Sequence, residues 1–324
     1  METTINKNTA QALKGIFAVG ILLHHFTTML PFTLPYCGWI KYIAFPLVGA
    51  FFFLSGYGLM YGLTKKENYL KGFIPKRFSK VLVPFVLVAG AATAVLSAVK
   101  GSFVNAFSIF TVLQYWFVYV ILGAYLLFYL VFKLCGKTAG TVILFAAAAV
   151  YAAVCLRLLP ERDEMFASII AFPLGVLFKI GEPKIAGLFK KGFAVKCAAL
   201  FFAFFGAFTL RLLLAYKGME SAVLHTLLRN LVTALFVCFI GVLAQRLTIN
   251  NRLLLSLGAC SYEIYIIHPV LIHLYRLIKS PADNRQLAVM IVVVVATTLL
   301  SAYLLHLLLS KTIFNGGKNN VKET

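Results

Sequence analysis

Acidic side chains are scarce in this 324-residue chain: ten Asp and Glu stand against thirty Lys and Arg, and charged residues make up 12% of the whole. Soluble domains carry about 25% charged residues, so a water-facing globular protein is excluded. Cysteine is too scattered for a disulfide framework or a zinc site. Cys155, Cys197, Cys238 and Cys260 fall in or beside apolar runs, Cys135 in an inner loop and Cys37 in an outer one, at spacings that suit no metal. Repeats and low-complexity tracts are absent, and no connection is long enough to hold a second domain. What the chain has in excess is apolar surface, 61% of its residues with a mean hydropathy of +0.92. The expectation is an all-α integral membrane protein, a single membrane domain over residues 1–324.

A spanning helix needs about 20 mostly apolar residues. Ten such runs are expected, at 10–30, 42–63, 78–99, 113–134, 139–159, 165–181, 193–215, 226–247, 254–277 and 286–310, the sixth being short and interrupted by Pro173. The first run is too long for a signal-peptide core and no small-residue cleavage site follows it, so it is expected to stay in the mature protein. With the N-terminus inside, twenty of the thirty basic residues fall on the inner side. That bias predicts cytoplasmic N- and C-termini in a multi-pass protein of the cell (plasma) membrane. The formal net charge of +20 would suggest nucleic acid in a soluble protein. In a membrane protein it points to topology, anionic lipid or an anionic cofactor on the cytoplasmic side, and no nucleic acid partner is expected.

Against this apolar background the polar residues stand out. In LKGIFAVGILLHHFTTML, Lys14 and His25 are eleven residues apart, which leaves about 20° of net rotation and places them on one helix face, roughly 16 Å apart along the axis. Lys14 belongs at the cytoplasmic mouth, either snorkelling to headgroups or holding an anion. His25 lies past the bilayer middle. An ionisable residue at that depth is a functional candidate by default, although it could also cap a neighbouring carbonyl. His24 points about 100° away and is read as support.

In SLGACSYEIYIIHPVLIHLY, Ser261, Tyr265, His268 and Ile272 share a face, and Pro269 frees the carbonyl of Tyr265. Glu263 is the one carboxylate placed within a span. It is either catalytic or the partner of a cation such as Lys14, Arg77 or Lys80. In FFFLSGYGLMYGL, Ser55 and Gly56 thin the helix, and Gly58 with Gly62 makes a GxxxG pair suited to close packing. The loop LTKKENYLKGFIPKRFSKVLVPF carries six basic residues from Lys65 to Lys80; it serves as a topology signal or grips a polyanion. Trp116, in LQYWFVYVILGAYLLFYL, suits an interfacial aromatic belt.

Together and in this order these stretches resemble the acyltransferase-3 family of membrane O-acyltransferases, over nearly the whole chain. The family's first helix has a basic residue, ten intervening residues and a histidine, matched by Lys14 and His25. Its FFxLSGY/F run is matched by Phe51, Phe52, Phe53, Ser55, Gly56 and Tyr57, and its basic stretch resembles Lys76, Arg77, Lys80 and Pro84. Its WFxxxL run resembles Trp116 and Phe117, and its SYxIYLxHP run matches Ser261, Tyr262, Ile264, Tyr265, His268 and Pro269. The basic residue of the first motif is usually arginine; Lys14 keeps the charge but not the two-pronged grip.

The resemblance implies transfer of an acyl group, commonly acetyl, from acyl-CoA as co-substrate to a hydroxyl of a cell-surface glycan or a small exported acceptor, with no metal. His25, with His268 and Glu263, is then the catalytic set, and Lys14, Lys76, Arg77 and Lys80 form the donor site. His24, Ser55, Tyr57, Trp116, Ser261, Tyr262 and Tyr265 support substrate or structure. No extracytoplasmic hydrolase-like domain of the kind fused to some relatives is expected. A transporter would use the same bundle without turning over acyl-CoA, and a sensory or scaffold protein would tolerate loss of both histidines.

Overall fold

A computed structural model describes residues 4–28, 38–104, 115–219 and 221–314. The described chain is helical and contains no strand, as unpaired backbone groups in lipid require. The helices are α1 (Lys7–Thr28), α2 (Ala44–Lys65), α3 (Phe73–Lys100), α4 (Trp116–Leu134), α5 (Lys137–Leu158), α6 (Ala171–Leu188), α7 (Phe193–Tyr216), α8 (Ala222–Ala244), α9 (Arg252–Ala259), α10 (Ser261–Ile278) and α11 (Asn284–Leu309).

Each expected apolar run overlaps a helix. Seven helical stretches are long and apolar enough to cross a membrane, or eight if α9 and α10, bent by 70° at Cys260, count as one broken span. The protein is therefore a multi-pass membrane protein. α1 and α6 are outside that set: α1 carries Lys7 and Lys14, and α6 holds 18 residues that include Lys179, Glu182 and Lys184.

Local chemistry sets several boundaries. Ser221, Asn251 and Asp283 cap α8, α9 and α11 by accepting from the amides of Leu224 (3.2 Å), Leu254 (3.0 Å) and Gln286 (2.7 Å). Pro173 does not interrupt its helix, contrary to the sequence expectation. α6 starts only at Ala171, so Pro173 lies in the first turn, where its missing N–H costs nothing. At its other end α6 runs past the expected boundary at 181, on to Leu188. Glu182 is then buried inside a helix, and Glu263 is not the sole buried helical carboxylate. α3 starts at Phe73, so Lys76, Arg77 and Lys80 stand in its first turns rather than in a loop. Cys37, expected in an outer loop, lies outside the described residues.

The chain divides into two compact units. The first comprises Met1–Ala10, Phe45–Ile74 and Val120–Asn250; the second comprises Gln11–Ala44, Pro75–Tyr119 and Asn251–Thr324. In the first, α2 and α6 cross at backbone contact. A Cβ on Gly56 would lie 2.2 Å from the Phe172 carbonyl oxygen, and one on Gly175 would lie 2.0 Å from that of Phe53. The expected Gly58–Gly62 pair is not the contact: a Cβ on Gly58 meets open space, and one on Gly62 meets the ring of Tyr69. The GxxxG spacing puts two glycines on one face, but which glycine is needed depends on where the partner backbone passes. The second unit packs Leu22 and Phe26 of α1 against Ile272 of α10 and Leu287, Met290 and Val294 of α11.

Candidate functional site

The second unit holds most of the polar residues singled out in the sequence. On α1, Gly15 abuts α9 so closely that a Cβ there would lie 2.8 Å from both the Gly258 amide and the Leu254 carbonyl. Gln11 Nε2 adds a 2.7 Å hydrogen bond to the Leu255 carbonyl. These contacts fix α1 beside Lys14. No described residue hydrogen-bonds or ion-pairs with Lys14. Its neighbour in charge is Arg77 on α3, close enough to repel it. Arg77 is half-buried, while Lys76 and Lys80 are exposed. Two like charges that act on one another, one with no counter-ion among the described residues, suit an anion.

Three turns further along α1, the His25 ring meets the His268 ring of α10, with centroids 4.8 Å apart and planes tilted by 41°. His24 contacts His25 edge-on at 5.2 Å and lies 3.3 Å from the Ile40 carbonyl through Nδ1. The Nδ1 of His268 is 2.9 Å from the Ile264 carbonyl, so it carries the proton and donates, which assigns the other nitrogen as acceptor. The carbonyl of Tyr265, freed by Pro269, faces the same ring. His268 Nε2 is buried with no hydrogen-bond partner among the described residues. His25 makes no hydrogen bond to a described residue and keeps part of its surface accessible. Two imidazoles that meet in the interior of a membrane protein, each with a nitrogen unbonded among the described residues, are available to a reacting group.

The surrounding residues hold this pair. Tyr262 donates to the Val81 carbonyl (2.8 Å), tying α10 to α3. Tyr265 lies in an aromatic layer with Tyr115, Phe117 and His268, and Tyr115 donates to the Ile266 carbonyl at 2.6 Å. Ser261 is buried at the start of α10. Trp116 is buried too, its ring against Phe117, so it is a packing residue rather than part of a lipid-facing belt.

Glu263 pairs with His306 of α11 at 3.0 Å, not with Lys14, Arg77 or Lys80. About 140° of helix rotation separates it from His268, which turns it toward α11. His306 went unnoticed in the sequence. The signal was available, because a histidine in an apolar span is itself a candidate for pairing with an intramembrane carboxylate.

Ser55 and Tyr57 belong to the first unit, where Ser55 is half-buried on α2. Tyr57 is buried and donates to Glu182 Oε1, while Lys179 pairs with Glu182 Oε2. The Ile5 amide donates to the Tyr57 hydroxyl (2.9 Å) and to Glu182 (3.2 Å). A second cluster joins Asp163 to Arg229 and, at 2.8 Å, to His225 Nε2. Partial burial pushes the Asp163 carboxyl up, but the His225 hydrogen bond and the Arg229 charge outweigh it and hold the carboxyl below its ordinary value. Neither cluster was anticipated. Each joins residues from distant parts of the sequence, which no local spacing reveals.

The acyltransferase-3 family model, described as an acyltransferase domain, matches residues 9–306. That match takes in α1 from its first turn and nearly all of α11, with every residue of the Lys14, His25, His268 and Glu263–His306 set. No curated protein and no solved structure gave a match.

Proposed function

The chain belongs to the acyltransferase-3 family and is a membrane acyltransferase, and on that premise we propose that it moves an acetyl group from acetyl-CoA to a hydroxyl of a cell-surface or exported glycan. The observation that carries this reading is the layout of α1 within one unit. Lys14, with no counter-ion among the described residues, lies within the field of Arg77, and the His25 imidazole meets that of His268 about 16 Å further along the same helix. An extended pantetheine arm would span that distance, from a phosphate held at the first place to a thioester delivered to the second.

In this reading Lys14 and Arg77 bind the phosphates, with Lys76 and Lys80 drawing the anion in. His25 removes the proton of the acceptor hydroxyl as its oxygen attacks the thioester carbonyl carbon. The C–S bond breaks, and the protonated His25 returns its proton to the departing thiolate. His268 orients His25 and offers Nε2 as a second acceptor. The basic flank of α3 supports a donor site on the cytoplasmic side of the plasma membrane, with both termini on that side.

Proteoliposomes loaded with labelled acetyl-CoA test the reaction, paired with mass spectrometry of surface glycans from deletion and complemented strains. Label transfer to a hydroxyl, together with a mass difference of acetyl groups between the strains, is expected. Movement of an unmodified solute with no loss of acetyl-CoA would replace the enzyme by a transporter.

A further inference from the structure

Glu182 is a buried titratable group that the proposed chemistry does not use, and its surroundings show what it holds. One oxygen accepts from the Tyr57 hydroxyl and the Ile5 amide, the other from Lys179, whose ammonium also lies over the ring of Tyr61 at 4.9 Å. Ile5 itself is buried, two residues before α1 begins. The next residues are gripped as well. Asn8 Nδ2 donates to Asn250 Oδ1 (3.0 Å), and the fully buried Thr9 hydroxyl donates to the Leu247 carbonyl (2.8 Å) and accepts from the Ile249 amide (3.1 Å).

A helix frays from its ends because the first four amides have no intrahelical acceptor. Here the amide just before α1 is tied to a buried carboxylate. Lys14 stands about one turn beyond Ala10 on the same helix, within reach of any fraying that starts there.

We propose that Glu182 is a positioning residue: through Tyr57 and the Ile5 amide it clamps the start of α1 and so keeps Lys14 ordered to receive the anionic donor. The second half of this proposal rests on the donor reading above.

Two double variants isolate the clamp. Lys179→Met/Glu182→Gln and Lys179→Met/Glu182→Leu both remove the buried charges at similar volume, but only the glutamine keeps the acceptor for Tyr57 and the second acceptor for the Ile5 amide. The other acceptor of that amide, the Tyr57 hydroxyl, is left untethered by the leucine. Tyr57→Phe removes the bridging hydroxyl alone. In nanodiscs, hydrogen–deuterium exchange over residues 10–16 and calorimetric binding of coenzyme A are measured for each. The leucine double and Tyr57→Phe should exchange about tenfold faster there, the scale of one lost charge-assisted hydrogen bond, and bind coenzyme A several-fold more weakly. The glutamine double should stay close to wild type in both. A weaker Kd distinguishes positioning from a mere folding defect, which lowers the bound fraction but not the affinity of the folded remainder.

Equal exchange in the glutamine and leucine doubles overturns the clamp. Faster exchange with unchanged coenzyme A affinity overturns the link to Lys14. If the leucine double does not fold, Tyr57→Phe decides by the same two readouts. A wild type that binds no coenzyme A sinks the donor reading and the link together, while the exchange data still decide the clamp.

Discussion

Glu182, in the first unit, is closed on both oxygens by Lys179, Tyr57 and the Ile5 amide, and Asp163 in the same unit is held by Arg229 and His225. Lys14, in the second unit, has no hydrogen-bond or ion-pair partner among the described residues, and His25 meets His268, whose Nε2 is likewise without one there. Both groups pay the same kind of desolvation cost, which only pairing or a ligand offsets. Where the protein supplies the partner, the polar group serves the fold. Where it does not, the partner comes from outside, and the second unit is where chemistry is expected. Glu263–His306 is the exception that locates the boundary, because this closed pair sits beside the open set within one unit.

The comparison breaks most sharply at His25. His25→Ala should leave the protein inserted, monodisperse and folded, and should lower transfer by about 10²–10⁴-fold, the usual contribution of a general base. Turnover of labelled acetyl-CoA per folded molecule measures it. Near wild-type transfer would make His25 structural and move the base to His268, whose Nε2 is also open.

A smaller effect is expected at Lys14. Lys14→Ala should raise the apparent KM for acyl-CoA roughly 10- to 100-fold, the scale of a charge-assisted contact. Lys14→Arg, which keeps the charge and adds a second prong, should retain activity. A KM that is unchanged in the alanine variant would mean that Lys14 serves the membrane interface, and that the contrast between open and closed charges does not mark the donor site.

Packing offers a third test, within the first unit alone. Gly175→Ala drives a methyl to within 2.0 Å of the Phe53 carbonyl oxygen and should cost about 1–3 kcal/mol, the usual range for overpacking. Gly58→Ala meets open space and should be neutral or stabilising by a few tenths of a kcal/mol, from helix propensity. Melting temperatures in detergent report both, and equal shifts would contradict the crossing of α2 and α6 at Gly56 and Gly175.

The sequence carried the helices because an apolar run of about 20 residues can do little else in lipid. It also carried the shared face of Lys14 and His25, which is arithmetic on one helix. Helical spacing singled out His268 on the face of Ser261, Tyr265 and Ile272, and the structure adds that its ring meets that of His25. What could not be read were pairings between helices. Glu263 finds His306 because α11 happens to pass on that side of α10, and Gly56 rather than Gly58 meets a backbone because α6 crosses there. The start of α6 was misplaced for a local reason: Pro173 looks like a break from inside a run but is tolerated at a first turn. The run also ended too early, at 181, which left Glu182 outside it and hid one of the closed charges of the first unit.

The smallest effect belongs to Asp163, and its sign can be worked out. Its folded-state carboxyl ionises below the ordinary value of 3.8, so the unfolded chain takes up this proton first as the pH falls. Its contribution to stability is therefore complete above about pH 4 and fades on acidification through that value. The side chain is 34% exposed, so screening limits the contribution to about 1 kcal/mol or less. Asp163→Asn should lower the melting temperature slightly at pH 7, and the gap from wild type should close as the pH is taken toward 3. Arg229 makes the outcome specific: with the asparagine it keeps a hydrogen-bond acceptor but loses its counter-charge. A gap that stays constant between pH 7 and pH 3 would show that the carboxylate's charge does not support the fold. Asp163 would then no longer count among the closed charges of the first unit.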